Sequence, residues 1–197
     1  RPFTDDKILT SWNGLMIRGF ADAGRLLEQP GYIETAEKAA TFVLEQLSDE
    51  KGRLLRTFRG GEAKLNAYLV DYAFLVEGLL SLHRATGKKA WLDEADRLMK
   101  IQLELYWDDT NSGFFFTSND HESLLARGKN PVDGAQPSGN SVSVQNLLRL
   151  AHELDNEEYL ERADRTIRSV SGILSNSPSA SPRMVIAVGQ LLEARDK

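Results

Sequence analysis

The sequence has no cysteine among its 197 residues. Disulfide bonds, thiolate metal sites and cysteine nucleophiles are therefore excluded from this chain. It also lacks any run of about 18 uncharged apolar residues, the length that a membrane-spanning helix needs. No signal or transit segment is visible. From these absences we expect a cytoplasmic protein that makes no membrane contact.

Patterned positive charge is also missing. The chain has 24 Lys and Arg against 29 Asp and Glu, and the two signs alternate along its helical stretches. Binding of nucleic acid or of an anionic membrane requires a basic patch or stripe, so neither partner is expected. The three histidines, His83, His121 and His152, are far apart in sequence, and no His, Asp or Glu spacing is typical of a metal site. We therefore expect neither a metal nor a cofactor.

The length allows one domain with a hydrophobic core, so we assign residues 1–197 to a single domain. The first residues lack an initiator Met and resemble the middle of a protein. We therefore expect the chain to be a fragment of a longer protein.

Three segments of the chain resemble one another. Each has two leucines, then an aromatic residue, then an alanine four positions later, and the aromatic residues are Tyr32, Trp91 and Tyr159. Each segment is typical of a helix, a tight turn and a second helix, followed by a long loop. The repeat predicts an array of αα-hairpins, with a unit too long and too variable for a tetratricopeptide solenoid.

Apolar periodicity predicts about seven helices in an all-α fold. The first helices of the hairpins have few charges, whereas the second helices have one apolar stripe. This alternation predicts an inner ring of buried helices surrounded by an outer ring. A short β-hairpin is also expected near 113–128, where three Phe follow a Gly. The predicted helices span about 12–27, 31–47, 65–82, 89–105, 139–151, 157–174 and 182–194.

The long loops precede the inner helices, so we expect them on one face, together with the positive ends of those helices. The loop within 131–146 has two prolines and two glycines alongside Asp133, Ser138 and Asn140. This composition suits the wall of a polar cavity. Ser138 and Asn140 also suit helix capping, and capping and ligand contact can coexist.

Four sequence motifs are characteristic of a known family. On these motifs the chain resembles the helical portion of the spermatogenesis-associated, thioredoxin-domain-containing protein family, over essentially its whole length. The resemblance implies a partial (α/α)6 toroid similar to six-hairpin glycosidases and N-acylglucosamine 2-epimerases. It also implies that the thioredoxin-like domain of the family is absent from this chain. The motifs are DDKILTSWNGLM at 5–16, VDYAFL at 70–75, GFFFT at 113–117 and DGAQPSGNSV at 133–142.

Asp71 is the main catalytic candidate. It lies in an apolar stretch of a predicted inner helix, where an unpaired buried charge would cost several kcal/mol. A cavity-facing Asp with a raised pKa would suit general acid or base catalysis. A structural ion pair is the alternative, with Lys7, Arg18 or Tyr72 as the partner.

Asp5 and Asp6 are the candidates for a second carboxylate. Hydrolysis of a glycoside by two carboxylates uses one as an acid and the other as a base that activates water. Adjacent carboxylates can have split pKa values, and Asp133 is a reserve. The alternative is a helix entry, where acidic residues complement the helix dipole.

Seven residues are the substrate-binding candidates. Aromatic faces stack on sugar rings, and amides, hydroxyls and charges fix the sugar hydroxyls. A buried core position is the alternative for Trp12. The candidates are Lys7, Trp12, Asn13, Tyr72, Asp133, Ser138 and Asn140.

The sequence thus favours a six-hairpin glycosidase-like domain of carbohydrate metabolism that binds or hydrolyses a carbohydrate through a carboxylate pair in a polar cleft. If the domain is catalytic, we expect a glycoside hydrolase rather than an epimerase, because no histidine lies at the N-terminus of an inner helix. The alternative is a non-catalytic ligand-binding or scaffold module attached to a thioredoxin-like domain. Seven helices cannot close a six-hairpin ring, so a homodimer through the open toroid edges is also expected.

Overall fold

The computed structural model of the chain describes residues 4–121 and 126–195. Helices dominate, and the predicted all-α class is confirmed. Within the described residues, none of the helices combines the length and the apolar character needed to cross a bilayer. The elements in chain order are β1 (Ile8–Leu9), α1 (Thr10–Leu26), α2 (Pro30–Gln46), β2 (Leu55–Arg59), β3 (Glu62–Asn66), α3 (Leu69–Thr86), α4 (Lys89–Tyr106), α5 (Gly139–Leu154), α6 (Glu157–Ser169), α7 (Ser171–Asn176), a 3₁₀ turn at Pro178–Ala180, and α8 (Pro182–Arg195).

The predicted helices are confirmed, with two differences. The helix predicted at 65–82 begins only at Leu69, because β3 occupies residues 62–66. The helix predicted at 157–174 is interrupted at Val170, which has φ −110° and ψ 10°. The Val170 amide bonds to the carbonyl of Ile167 at 3.2 Å, so the last turn of α6 tightens and α7 begins a new helix.

A three-stranded sheet in the order β1-β2-β3 lies in the first half of the chain. β2 and β3 are antiparallel and are joined by the two-residue loop Gly60-Gly61, with Arg59 opposite Glu62. Both glycines have positive φ, 59° and 84°, as a type I′ hairpin turn requires. β1 adds to the other edge of β2, with Ile8 opposite Phe58.

The β-hairpin predicted near 113–128 falls partly outside the described residues, which omit 122–125. In the described part of this segment the backbone forms an isolated bridge between Trp107 and Phe114. The amide of Phe116 also donates to the carbonyl of Gly128 at 2.8 Å. Among the described residues, the named strands lie at 8–9 and 55–66 rather than in this segment.

The chain divides into two compact units, Arg1–Leu98 and Met99–Lys197. In unit one, α1 and α3 pack almost backbone to backbone. A methyl group added at Gly14 would lie 2.5 Å from the carbonyl carbon of Phe74, and one at Gly78 would lie 2.9 Å from the carbonyl oxygen of Gly14. This close approach fixes the N-terminal ends of α1 and α3 beside each other.

In unit two, α5 packs against α6 and α8. Val142, Leu147 and Leu150 of α5 are fully buried, as are Ala163 of α6 and Ala187 of α8. Small residues on the facing helices allow this close packing. The core of unit two is therefore built on α5, as the sequence predicts for an inner helix.

The predicted difference between inner and outer helices is visible in their burial. α3 is buried along most of its length, whereas α2 buries only Ala36, Ala40 and Val43. α1 and α8 are intermediate, because each keeps large apolar side chains exposed. Trp12 and Met16 of α1 are 58% and 57% exposed, and Ile186 and Leu192 of α8 are 55% and 57% exposed.

Three short turns join the helices within the hairpins, and each contains one residue in the left-handed region. These residues are Glu28 with φ 55°, Gly87 with φ 68° and Asp155 with φ 50°. A left-handed residue after a helix lets the chain reverse within a few positions. The three segments that repeat in the sequence thus also share the geometry of their turns.

Candidate functional site

Asp71 is the centre of a polar cluster in unit one. It lies in the first turn of α3, and its side chain is 0% exposed. Its Oδ1 accepts a hydrogen bond from the amide of Ser11 at 3.0 Å. Its Oδ2 accepts one from the amide of Tyr68 at 2.8 Å and one from Nη1 of Arg56 at 3.2 Å. We call Ser11, Arg56, Tyr68 and Asp71 the Asp71 cluster.

The cluster joins three segments, because Ser11 lies in the first turn of α1, Tyr68 precedes α3 and Arg56 lies on β2. Burial raises the pKa of Asp71, and the hydrogen bonds and the Arg56 charge offset part of that rise. Of the two alternatives from the sequence, the ion pair is the one observed. The partners expected from the sequence are engaged elsewhere: Lys7 with Asp5, Arg18 with Glu77, and the Tyr72 hydroxyl with the amide of Leu54.

Asp5 and Asp6 lie on the surface, with side chains 69% and 63% exposed. Asp5 pairs with Lys7 at 3.4 Å, and Asp6 pairs with Arg59 at 2.5 Å. Hydrolysis by two carboxylates needs a pair that faces an open cleft. In this structure each of the three catalytic candidates has a cationic partner, and Asp71, the candidate that lies in a helix, is fully buried.

Arg56 is a residue that the sequence analysis missed. Its guanidinium lies 4.6 Å from the centre of the Tyr68 ring, and its side chain is 29% exposed. Nη1 contacts Asp71, while Nε and Nη2 make no hydrogen bond to the described residues. The guanidinium is thus held by stacking and by an ion pair while two of its nitrogens stay unused.

Trp12 and Asn13 occupy the first turn of α1, next to Ser11. The Trp12 side chain is largely exposed, so the surface position is observed rather than the core alternative. The Asn13 amide donates from Nδ2 to the Leu9 carbonyl at 2.8 Å and thereby fastens the helix to β1. An exposed aromatic ring therefore lies one residue from Ser11 of the Asp71 cluster.

Tyr72 is buried, and its hydroxyl oxygen accepts the Leu54 amide at 2.9 Å. Burial raises the pKa of Tyr72 to about 12. The side chain thus ties α3 to the segment before β2, and no exposed surface remains for a ligand in this structure.

The other predicted binding residues lie in unit two and form a loop clamp, which we define as Asp133, Ser138, Asn140 and Arg183. Asp133 accepts the Ser138 amide at 2.7 Å and the Arg183 amide at 2.9 Å, so it joins the loop to the start of α8. The side chain of Arg183 then bonds to Gln145 of α5. The clamp holds the N-terminal ends of α5 and α8 at one loop.

Ser138 and Asn140 complete the clamp. The Ser138 hydroxyl accepts the Asn140 amide at 3.1 Å and donates to the Asn130 carbonyl at 2.6 Å. The Asn140 side chain bonds to both backbone groups of Phe114, at 2.8 and 2.9 Å. Ser138 thus caps α5, as the sequence suggested, whereas Asn140 does not cap the helix and instead holds the Phe114 backbone.

Unit two also has an open groove of about 440 Å³ at the C-terminal ends of α5 and α8. It lies at the opposite ends of these helices from the loop clamp, and Arg149, His152, Glu153 and Glu193 are among its lining residues. Across residues 4–121 and 126–195, no group of three or more His, Asp and Glu side chains could hold a metal ion. The lining mixes these charged side chains with apolar ones, such as Leu148 and Leu160.

Comparison with known sequences identifies proteins related to this chain. No protein-family model matches it. Spermatogenesis-associated protein 20 of Homo sapiens is 37% identical over 198 residues, which cover 95% of this chain and 25% of that protein. The chain spans about a quarter of the length of the curated relatives it matches. The resemblance identified from the four motifs is thereby confirmed as homology with one stretch of these proteins.

Comparison with solved structures identifies the fold. A GH76 alpha-mannanase of Bacteroides thetaiotaomicron matches with a TM-score of 0.79 and 15% identity, over 100% of this chain and 55% of that one. Cellobiose 2-epimerase of Spirochaeta thermophila matches with a TM-score of 0.67 and 18% identity, over 86% of this chain and 43% of that one. The predicted class, that of six-hairpin (α/α) toroid proteins, is confirmed.

Proposed function

We propose that this homologue of a stretch of spermatogenesis-associated protein 20 binds a carbohydrate at the N-terminal ends of α1 and α3. The observation that carries the proposal is the exposed ring of Trp12, one residue from the Ser11 amide that bonds to Asp71. An exposed aromatic face beside fixed polar groups suits a sugar, because the ring stacks on the sugar and the polar groups orient its hydroxyls.

The ligand class has support from the fold. The mannanase and the epimerase that share the fold both act on carbohydrates according to their names. A shared fold does not carry a shared reaction, since one architecture hosts many chemistries. The residues at the ends of α1 and α3 support the position of the site, and the fold supports only the class of ligand.

Binding is favoured over hydrolysis by the state of the carboxylates. A general acid or base must reach the substrate, and Asp71 is fully buried in contact with Arg56 and two amides. Asp5 and Asp6 are exposed and paired with Lys7 and Arg59. Asp71 is better suited to hold the ends of α1 and α3 in place.

A second candidate is a scaffold module that binds a protein, as expected for a domain attached to a thioredoxin-like domain. It is favoured by the exposed apolar surface of α1, where Trp12 is followed one turn later by the exposed Met16. Such a surface suits a protein partner as well as a sugar. The test of the first proposal separates the two.

The test is a calorimetric screen of neutral and anionic mono- and oligosaccharides against the chain and two variants. Trp12→Ala removes the stacking face, and we expect it to weaken saccharide binding by about tenfold or more. Leu26→Ala is the matched control, because Leu26 is 67% exposed at the other end of the same helix. We expect the control to bind as the unchanged chain does.

Two outcomes would contradict binding at this site. One is the absence of binding by every saccharide at millimolar concentration, which would favour the scaffold module. The other is an equal loss in Trp12→Ala and Leu26→Ala. Release of reducing sugar from an oligosaccharide, abolished in Asp71→Asn, would instead restore the hydrolytic role of Asp71.

A further inference from the structure

We infer that the bound sugar is anionic and that Arg56 is the residue that recognises its charge. The inference rests on the proposed carbohydrate site and names the chemistry of its ligand. The group recognised is a sugar carboxylate or a sugar phosphate, since both present anionic oxygens in the same geometry to a guanidinium. Arg56 lies in the cluster that joins the ends of α1 and α3.

The orientation of the Arg56 guanidinium is fixed before any ligand arrives. One face stacks on Tyr68, with 4.6 Å between the guanidinium carbon and the ring centre. One corner contacts Asp71, because Nη1 lies 3.2 Å from Oδ2. A side chain restrained in two directions loses less rotamer entropy when it binds.

The edge of the guanidinium that carries no hydrogen bond is the edge that we expect to bind an anion. Nε and Nη2 have no hydrogen-bond partner within residues 4–121 and 126–195. These two nitrogens form the edge of arginine that donates two parallel hydrogen bonds to a carboxylate or a phosphate. The side chain as a whole is 29% exposed, and partial shielding from water strengthens a charged contact.

Asp71 leaves Arg56 able to take a second anion. Its Oδ2 is shared between Arg56 and the Tyr68 amide, and its Oδ1 is bonded to the Ser11 amide. Much of the carboxylate charge is therefore stabilised by backbone donors rather than by Arg56. The positive ends of α1 and α3 meet at the same cluster and add to the field that favours an anion.

Arg59 provides a matched comparison on the same strand. It lies at the end of β2 and pairs with Asp6, and both side chains are about half exposed or more. Its guanidinium is thus held by an exposed surface pair, which contributes little fixed geometry. Arg59→Gln removes the same charge from the same strand and leaves the Asp71 cluster intact.

The experiment measures the affinity of the chain for glucose, glucuronate, the methyl ester of glucuronate and glucose 6-phosphate. We expect at least one of the two anionic sugars to bind about tenfold or more tightly than glucose. If the carboxylate is the group recognised, the neutral methyl ester will bind like glucose. Binding of glucose 6-phosphate tests whether a sugar phosphate is the group recognised.

Three variants assign the preference to Arg56. Arg56→Gln should abolish the anionic preference while Arg59→Gln keeps it. Because Arg56→Gln leaves Asp71 buried without its cation, the fold is checked by circular dichroism, and Arg56→Lys is tested in parallel. Arg56→Lys keeps a positive charge for Asp71 but cannot donate two parallel hydrogen bonds to one anion. We therefore expect a folded protein whose preference for anionic over neutral sugars falls by about tenfold.

The outcomes separate this inference from the proposed function. Tight binding of neutral sugars with no anionic preference would overturn the role of Arg56 and leave the carbohydrate site in place. An anionic preference that survives in folded Arg56→Lys, or that is lost equally in Arg59→Gln, would also overturn it. No binding of either anionic sugar would overturn the inference, and the proposed function is contradicted as well when every saccharide of the wider screen also fails to bind.

Discussion

At the scale of single residues, the carboxylate of Asp71 organises the start of two helices. It accepts hydrogen bonds from two backbone amides and one from Arg56, while its side chain has no solvent exposure. A buried charge is tolerated only when such partners replace water. The ends of α1 and α3 therefore depend on one buried side chain whose two oxygens accept three hydrogen bonds.

Replacing this carboxylate by an amide should destabilise the fold. In Asp71→Asn the side-chain NH2 group would replace one of the two acceptor oxygens and would face N–H donors. The substitution would also leave Arg56 without its counter-charge. We expect a loss of about 3 kcal/mol or more in the free energy of unfolding, measured by urea denaturation. Asp5→Asn is the control, because the exposed pair of Asp5 with Lys7 should be worth less than about 1 kcal/mol. A change within about 1.5 kcal/mol for Asp71→Asn would indicate that the carboxylate faces water.

Asp108 offers a test by pH in unit two. Its Oδ2 pairs with Lys129 at 2.5 Å, and this bond holds the pKa of Asp108 well below its ordinary 3.8. A carboxylate whose pKa is lower when folded stabilises the protein above its ordinary pKa, and that stability is lost as the pH falls through the lower value. Asp108→Asn should therefore be less stable than the unchanged chain at pH 7.

The same comparison is repeated at acidic pH. The difference in unfolding free energy between Asp108→Asn and the unchanged chain should be constant down to about pH 5. It should then shrink as the pH falls below 3.8. A difference that stays the same from pH 7 to about pH 2.5 would show that the Lys129 bond does not lower the pKa of Asp108.

The sequence identified Asp71 but not its partner. A charge within the apolar stretch of α3 is visible in sequence, because helical periodicity reports which positions are buried. The partner Arg56 lies on β2, which contacts α3 only after the chain folds back. For Ser138 and Asn140 the sequence allowed both capping and ligand contact, and the folded loop shows where their hydrogen bonds go.

At the scale of elements, the helices were predictable and the sheet was not. Apart from the six-residue α7, each helix is longer than ten residues and has either an apolar stripe or, in α3, a nearly continuous apolar run, which are strong local signals. β3 is only five residues long and mostly exposed, and the prediction places its last two residues, Leu65 and Asn66, in the helix that follows. The pair Gly60-Gly61 was the available sign of a two-residue turn.

The contact between α1 and α3 gives a prediction at this scale. Gly14→Ala would place a methyl group within 2.7 Å of three backbone atoms of Phe74 and Leu75, so the two helices would have to move apart. We expect a loss of about 3 kcal/mol in thermal or urea unfolding. Gly19→Ala is the control on the same helix, since its methyl group would meet nothing within 4 Å.

The control should change stability in the other direction. Gly19→Ala should stabilise the protein by about 0.5–1 kcal/mol, because alanine restricts the unfolded chain. Equal effects of the two substitutions would contradict the backbone-to-backbone packing of α1 on α3.

At the scale of the whole molecule, the sequence repeat predicted the fold class, and the solved structures confirm it. The exposed apolar side chains of α1 and α8, among them Met16 and Ile186, are compatible with the homodimer expected from the sequence. That homodimer stays a prediction. Sedimentation equilibrium at micromolar concentration should show a species heavier than one chain, and a monomer that binds no apolar dye would contradict it.

The most direct test of the central claim is a saccharide titration followed by NMR of the tryptophan indole N–H groups. The chain has three tryptophans in different surroundings. Trp12 is exposed beside the Asp71 cluster, Trp91 donates to Glu37 at 3.1 Å, and Trp107 is buried. We expect the Trp12 signal to shift with saccharide concentration and to saturate, while the signals of Trp91 and Trp107 do not shift. A Trp12 signal that does not move while the protein binds sugar, or a shift confined to Trp91 or Trp107, would contradict a carbohydrate site at the ends of α1 and α3.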